Sequence, residues 1–118
     1  MVPQIERTAS ARANYGPRWT LADARTVARI SGASGANILA SPAGLDVALR
    51  NPGPAPIRID LRIDGVAIVQ GSVMEPGAER RLEWRGPRTG LLFIEASSAA
   101  LDGQPAAMDV QIDRRPGP

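Results

Sequence analysis

Apolar residues recur at every second position along most of this chain, the spacing of half-buried strands rather than helices. The plainest case is residues 57–64. Ile57, Ile59, Leu61 and Ile63 fall on one side, and Arg58, Asp60, Arg62 and Asp64 on the other. An antiparallel sheet with one wet face needs strands of this kind. Leu45, Val47 and Leu49 alternate with Asp46, Ala48 and Arg50. Leu82 and Trp84 alternate with Arg81, Glu83 and Arg85, and Met108, Val110 and Ile112 with Asp109, Gln111 and Asp113. Residues 66–73 follow the Asp64-Gly65 turn as a further strand. Residues 91–96 are more continuously apolar, as in a central strand covered on both faces. Residues 26–30 read as a strand because the remainder is β-rich. The competing reading there is a helix starting at Thr20-Leu21-Ala22-Asp23, with Leu21, Ala24 and Ala28 at helical spacing.

Breakers divide these runs. Ser31-Gly32-Ala33-Ser34-Gly35 predicts a turn. In Asn51-Pro52-Gly53-Pro54-Ala55-Pro56 three of six residues lack an amide donor, which makes a stiff connection. Glu75-Pro76-Gly77-Ala78 suits a type II turn. Gly86-Pro87-Arg88-Thr89-Gly90 breaks the chain again, and residues 97–106 read as a loop. About seven or eight short strands with a turn roughly every ten residues predict an all-β fold, an antiparallel β-sandwich or small jelly roll. The predicted domain covers residues 20–113. An extended basic N-terminal arm, residues 1–19, precedes it, and residues 114–118 form a solvated tail.

Composition then narrows the chemistry. A chain of 118 residues is one domain, hiding about two-thirds of its surface on folding. It has no cysteine and no histidine. Thiolate nucleophiles, disulfides, imidazole bases and zinc sites of the usual type are therefore excluded. All 14 basic residues are arginine, which removes Schiff-base chemistry and the P-loop lysine. The net charge of +2 sits wholly on residues 1–19, where Arg7, Arg12 and Arg18 stand against Glu6. No apolar h-region opens the chain, and no run approaches the roughly 18 apolar residues that a membrane span needs. Cytoplasmic synthesis without a signal peptide is expected, and the initial Met argues against a processed fragment.

No constellation reads as catalytic. Asp60 and Asp64 would lie mid-strand beside arginines that hold both ionised, unlike an acid–base pair in a cleft. The stripe Arg58, Asp60, Arg62 and Asp64 reads instead as a solvated sheet face or an ion-pair ladder between subunits. Asp102, Asp109 and Asp113 are spread along a strand, not gathered in a calcium loop. Trp84 and Phe93 fall at core phase. Tyr15 and Trp19 flank Gly16-Pro17 and suit either anchoring of the arm or a small glycan platform. Arg12, Tyr15, Arg18 and Trp19 are the only basic residues interleaved with aromatics, too few to expect nucleic-acid binding. No enzyme activity, cofactor or metal is expected. The candidate partner-binding residues are Ile5, Arg7, Arg12, Tyr15, Arg18 and Trp19 on the arm, with Arg58, Asp60, Arg62 and Asp64 on the sheet.

The stretch Val73-Met74-Glu75-Pro76-Gly77-Ala78-Glu79-Arg80-Arg81-Leu82-Glu83-Trp84, followed by Gly90-Leu91-Leu92-Phe93-Ile94-Glu95-Ala96, resembles the middle of small sandwich proteins of tailed-phage and gene-transfer-agent particles. The likeness of pattern spans residues 40–113. It implies a structural role as a head-decoration, spike-base or tail accessory subunit. Such a subunit would be a homo-oligomer docked on other virion or capsid proteins through its arm and sheet face. Carbohydrate-binding sandwiches share the Pro-Gly turn before a Leu-x-Trp strand, so recognition of a cell-surface polysaccharide is the alternative.

Overall fold

A computed structural model describes residues 20–21, 25–40, 43–85 and 90–115. Every element among them is a strand: β1 (Thr20–Leu21), β2 (Arg25–Ala40), β3 (Leu45–Arg50), β4 (Ile57–Ile63), β5 (Val66–Met74), β6 (Glu79–Trp84), β7 (Gly90–Ala100) and β8 (Ala107–Arg114). All pairings are antiparallel. The arm, residues 1–19, lies outside the described residues.

Two sheets share β2, with β1 paired to its start on the side away from β8. The first half of β2, residues 25–31, opens sheet A in the order β2-β8-β3-β6. Its second half, residues 32–40, opens sheet B in the order β2-β7-β4-β5. β7 and then β8 run beside β2, β3 and then β4 run beside them, and β5 and then β6 lie outermost. That is a long hairpin folded over on itself, the connectivity of a jelly roll.

The fold line crosses β2 at Gly32, whose φ of +79° is open to glycine and costly for other residues. The predicted turn at residues 31–35 is thus a bend within a continuous strand. Side-chain alternation survives it: Thr26 and Ile30 are buried before the bend, Ser34 and Ile38 after it. The hairpin apex is Asp64-Gly65, with φ of 51° and 80° as a type I′ turn demands.

The core is the apolar phase of these strands. Leu45, Val47 and Leu49 from sheet A face Ile57, Ile59, Leu61 and Ile63 from sheet B, and Leu92, Ile94, Met108, Val110 and Ile112 close it. Burying each such side chain contributes about 1.5–3 kcal/mol. β7 is central but covered on one face only. Leu92, Ile94 and Ala96 turn inward, so Phe93 sits on the outer face, half-buried over Gly35, and not at core phase. An added Cβ at Gly35 would stand 3.0 Å from Phe93 Cζ, so any other residue requires the ring to give by a few tenths of an ångström. Trp84 is half-buried at the core margin. β7 runs to Ala100, well into the predicted loop at 97–106. β8 runs to Arg114, so the expected tail begins inside a strand.

Two buried polar side chains behave in opposite ways. Asn51 is 0% exposed and organises the proline-rich connection. Its Nδ2 donates to Ala55 O at 2.8 Å and Met74 O at 3.0 Å, and its Oδ1 accepts from Gly53 N at 3.0 Å. The Ser98 hydroxyl, on a residue 1% exposed, has no hydrogen-bond partner. Asn51→Ala leaves the buried Met74 carbonyl without its donor and is expected to destabilise the fold by about 1–3 kcal/mol. Ser98→Ala removes an unpaired polar atom and is expected to be neutral or to stabilise by about 1 kcal/mol. Urea unfolding at unchanged m-value checks both.

Candidate functional site

The two outer faces carry the chemistry of the described surface. On sheet A the registers align outward side chains in rows across four strands. One row reads Arg29, Asp109, Arg50, Glu79. Another reads Arg25, Asp113, Asp46, Glu83. Between them lie Val27, Gln111, Ala48 and Arg81. Short side chains between longer ones leave an open depression of about 470 Å³, floored by Val27, Ala48 and Gln111 and walled by Arg29, Arg50 and Glu79.

Arginines inside and just beyond these rows pair with their carboxylates. Arg29 grips Asp109 with two hydrogen bonds, from Nε at 2.6 Å and from Nη2 at 3.0 Å, and Arg50 approaches the same carboxylate at 3.7 Å. Arg25 donates to Asp113 at 2.7 Å, and Gln111 donates to its second oxygen at 3.1 Å. Asp46 and Glu83 are direct cross-strand partners of like charge. Arg115 lies between them, 2.9 Å from each carboxylate, so this residue is engaged and not part of a solvated tail.

The Arg29 hydrogen bonds hold the Asp109 carboxyl below its ordinary range; partial burial opposes the shift, and the charges of Arg29 and Arg50 reinforce it. For Asp113 burial pushes upward, but bonds from Arg25 and Gln111 and the nearby positive charges bring the carboxyl below its usual value. Carboxylates held ionised in this way are poor proton donors near neutral pH. No group of three or more Asp or Glu among the described residues is arranged to hold a metal ion.

Sheet B treats the predicted stripe differently. Asp60 accepts from Gly71 N at 2.8 Å and from Ser97 Oγ at 3.2 Å. It thereby fixes a bulge in β5, where the pairing with β4 shifts register. Arg62 donates to Gly65 O at 3.0 Å across the hairpin turn. Asp64 lies in that turn and not on the strand, and accepts from Phe93 N at 2.9 Å. Arg58 is exposed. Three members of the stripe thus make bonds within their own chain that shape the β4–β5 hairpin.

Sequence reasoning missed a neighbouring feature. Leu39 and Leu91 are direct cross-strand partners on the outer face, 53% and 57% exposed, beside Phe93. The uncharged run around Leu39 was the available signal. Ile5, Arg7, Arg12, Tyr15, Arg18 and Trp19 lie outside the described residues. No helix among the described residues is long and apolar enough to cross a membrane. No protein-family model and no curated protein matches the chain.

A carboxyl with a depressed folded pKa contributes stability above its unfolded value of about 3.9 and loses it as pH falls through the folded value. Arg29→Gln is therefore expected to raise the Asp109 pKa and move that loss to higher pH. Carboxyl-carbon NMR titration of the two proteins measures the shift; an unchanged Asp109 midpoint contradicts the assignment.

Proposed function

We infer that this chain is a non-enzymatic structural subunit that docks through the outer face of sheet B. The observation that carries the reading is the apolar corner of Leu39, Leu91 and Phe93, set beside the charged positions Glu95 and Arg62. Exposed apolar side chains rimmed by polar ones mark contact surfaces in folded proteins. The rim gives orientation and the leucines give area that can be removed from water. Jelly-roll connectivity also supports a particle component, since the fold serves in viral capsids, although it serves in lectins and other proteins too.

In this proposal the subunit belongs to a phage-like particle, as a head-decoration or spike-base element, made in the cytoplasm and carried into the assembly. Repetition of one patch around a closed ring or lattice would multiply a modest contact. Light scattering behind a sizing column is expected to show a discrete oligomer for the native chain. The double variant Leu39→Asp/Leu91→Asp is expected to run as a monomer with an unchanged circular dichroism spectrum. A native monomer, or an oligomer indifferent to the double variant, overturns self-docking through this face.

A further inference from the structure

The ion pairs on the outer face of sheet A leave one guanidinium over, and it stands in the wall of the depression there. Arg29 is committed, since its Nε and Nη2 both donate to Asp109. Arg50 stands 3.7 Å from the same carboxylate, too far for a hydrogen bond, and its guanidinium makes none among the described residues. Its direct cross-strand partner in β6 is Glu79, a suitable mate by charge. Glu79 is instead bound by Arg81, which lies 2.9 Å from its Oε2. Arg29, Arg50 and Arg81 therefore face two carboxylates, and one positive charge is left in excess.

The rest of the depression supplies acceptors and an apolar floor. Gln111 Nε2 donates to Asp113 at 3.1 Å, which ties down the carboxamide and leaves its Oε1 to accept from a ligand. Asp109 and Glu79 also keep acceptor capacity, because a carboxylate has room for about four hydrogen bonds. Val27, 37% exposed, and Ala48 form the floor. The volume of about 470 Å³ falls within the range of small-molecule sites.

Each of these features restricts what can bind. A guanidinium fork with no acceptor of its own holds a carboxylate through two parallel bonds. A single excess charge suits a monoanion, whereas a doubly charged phosphate would be repelled by Asp109 and Glu79. A basic peptide would be repelled by Arg50. Acceptors beside the fork call for hydroxyl donors on the ligand, and the apolar floor calls for a face of C–H groups. Sugars whose ring bears a carboxylate have all three.

We propose that this depression binds a uronic-acid sugar, with the carboxylate held by Arg50, hydroxyls by Gln111 and the neighbouring carboxylates, and the ring lying over Val27 and Ala48. The site lies on the sheet opposite the face assigned to docking. It goes beyond that reading and does not depend on it. The same chemistry is presented by a free sugar acid and by a uronate unit within a polysaccharide.

NMR titration of the full chain with galacturonate tests the assignment. Saturable shifts are expected at the amides of Val27, Ala48, Arg50 and Gln111. Galactose lacks the carboxylate and acetate lacks the hydroxyls, so each is expected to act about tenfold more weakly. Arg50→Gln is expected to weaken galacturonate binding by about tenfold or more. Ala48→Leu fills the floor with every charge in place and is expected to abolish the shifts. Arg58→Gln, on sheet B, is expected to leave them unchanged. Tighter binding of trigalacturonate than of the monomer assigns the site to a polysaccharide, and equal binding assigns it to a free sugar acid. The absence of saturable shifts with galacturonate overturns the proposal. So does an equal response to acetate or to galactose, or native affinity in a folded Arg50→Gln or Ala48→Leu variant.

Discussion

The bend of β2 at Gly32 is the constraint on which the other strands depend. A sixteen-residue strand running straight would span about 53 Å and could serve only one sheet. Bent at a left-handed residue, it contributes to both sheets and brings their apolar faces together. The division between β7 and β8 and that between β3 and β4 both follow, because each neighbour must cross the same fold line. The crossing of β3 into β4 falls at the proline-rich connection. There the carboxamide of Asn51 replaces backbone pairing that prolines cannot supply.

The two outer faces solve the problem of exposed strands in different ways. Sheet A sets Arg25 and Arg29 against carboxylates across the strands, and Arg115 relieves the Asp46–Glu83 repulsion from just beyond β8. Sheet B spends its polar side chains on backbone geometry: Asp60 on a bulge, and Asp64 and Arg62 on the hairpin turn. Less of its charge is left to cover the surface, and Leu39 and Leu91 remain open to solvent. That contrast, more than any single residue, distinguishes the face assigned to docking.

Strand phase could be read from the sequence wherever apolar and charged residues alternate, as from Ile57 to Ile63. It could not be read in Leu91-Leu92-Phe93-Ile94, where both phases are apolar and only the partners of β7 decide that Phe93 turns outward. Glycine misled at residues 31–35, because a left-handed residue serves a bend within a strand as well as a turn between strands. The charged rows of sheet A depend on register. Arg29 and Asp109 are 80 positions apart, and periodicity within each strand says nothing about which residues face each other. Asp60 looked like a surface charge because its use depends on a bulge in β5 that no local pattern announces.

The hairpin apex at Asp64-Gly65 also bears on the time the chain needs to fold. Pairs near the apex close short loops, whereas those farther out join distant parts of the chain, up to the 88 positions between Arg25 and Asp113. Each longer closure costs more chain entropy before its contacts contribute. A topology so rich in nonlocal contacts belongs with the slow all-β folders, on the order of milliseconds to seconds, and not with helical domains of the same size. During that interval the two halves of β2 have yet to find their neighbours, and the uncharged run that ends at Ala40 is exposed to other unfolded chains. Yield on refolding should therefore depend on protein concentration even where the folded state is stable.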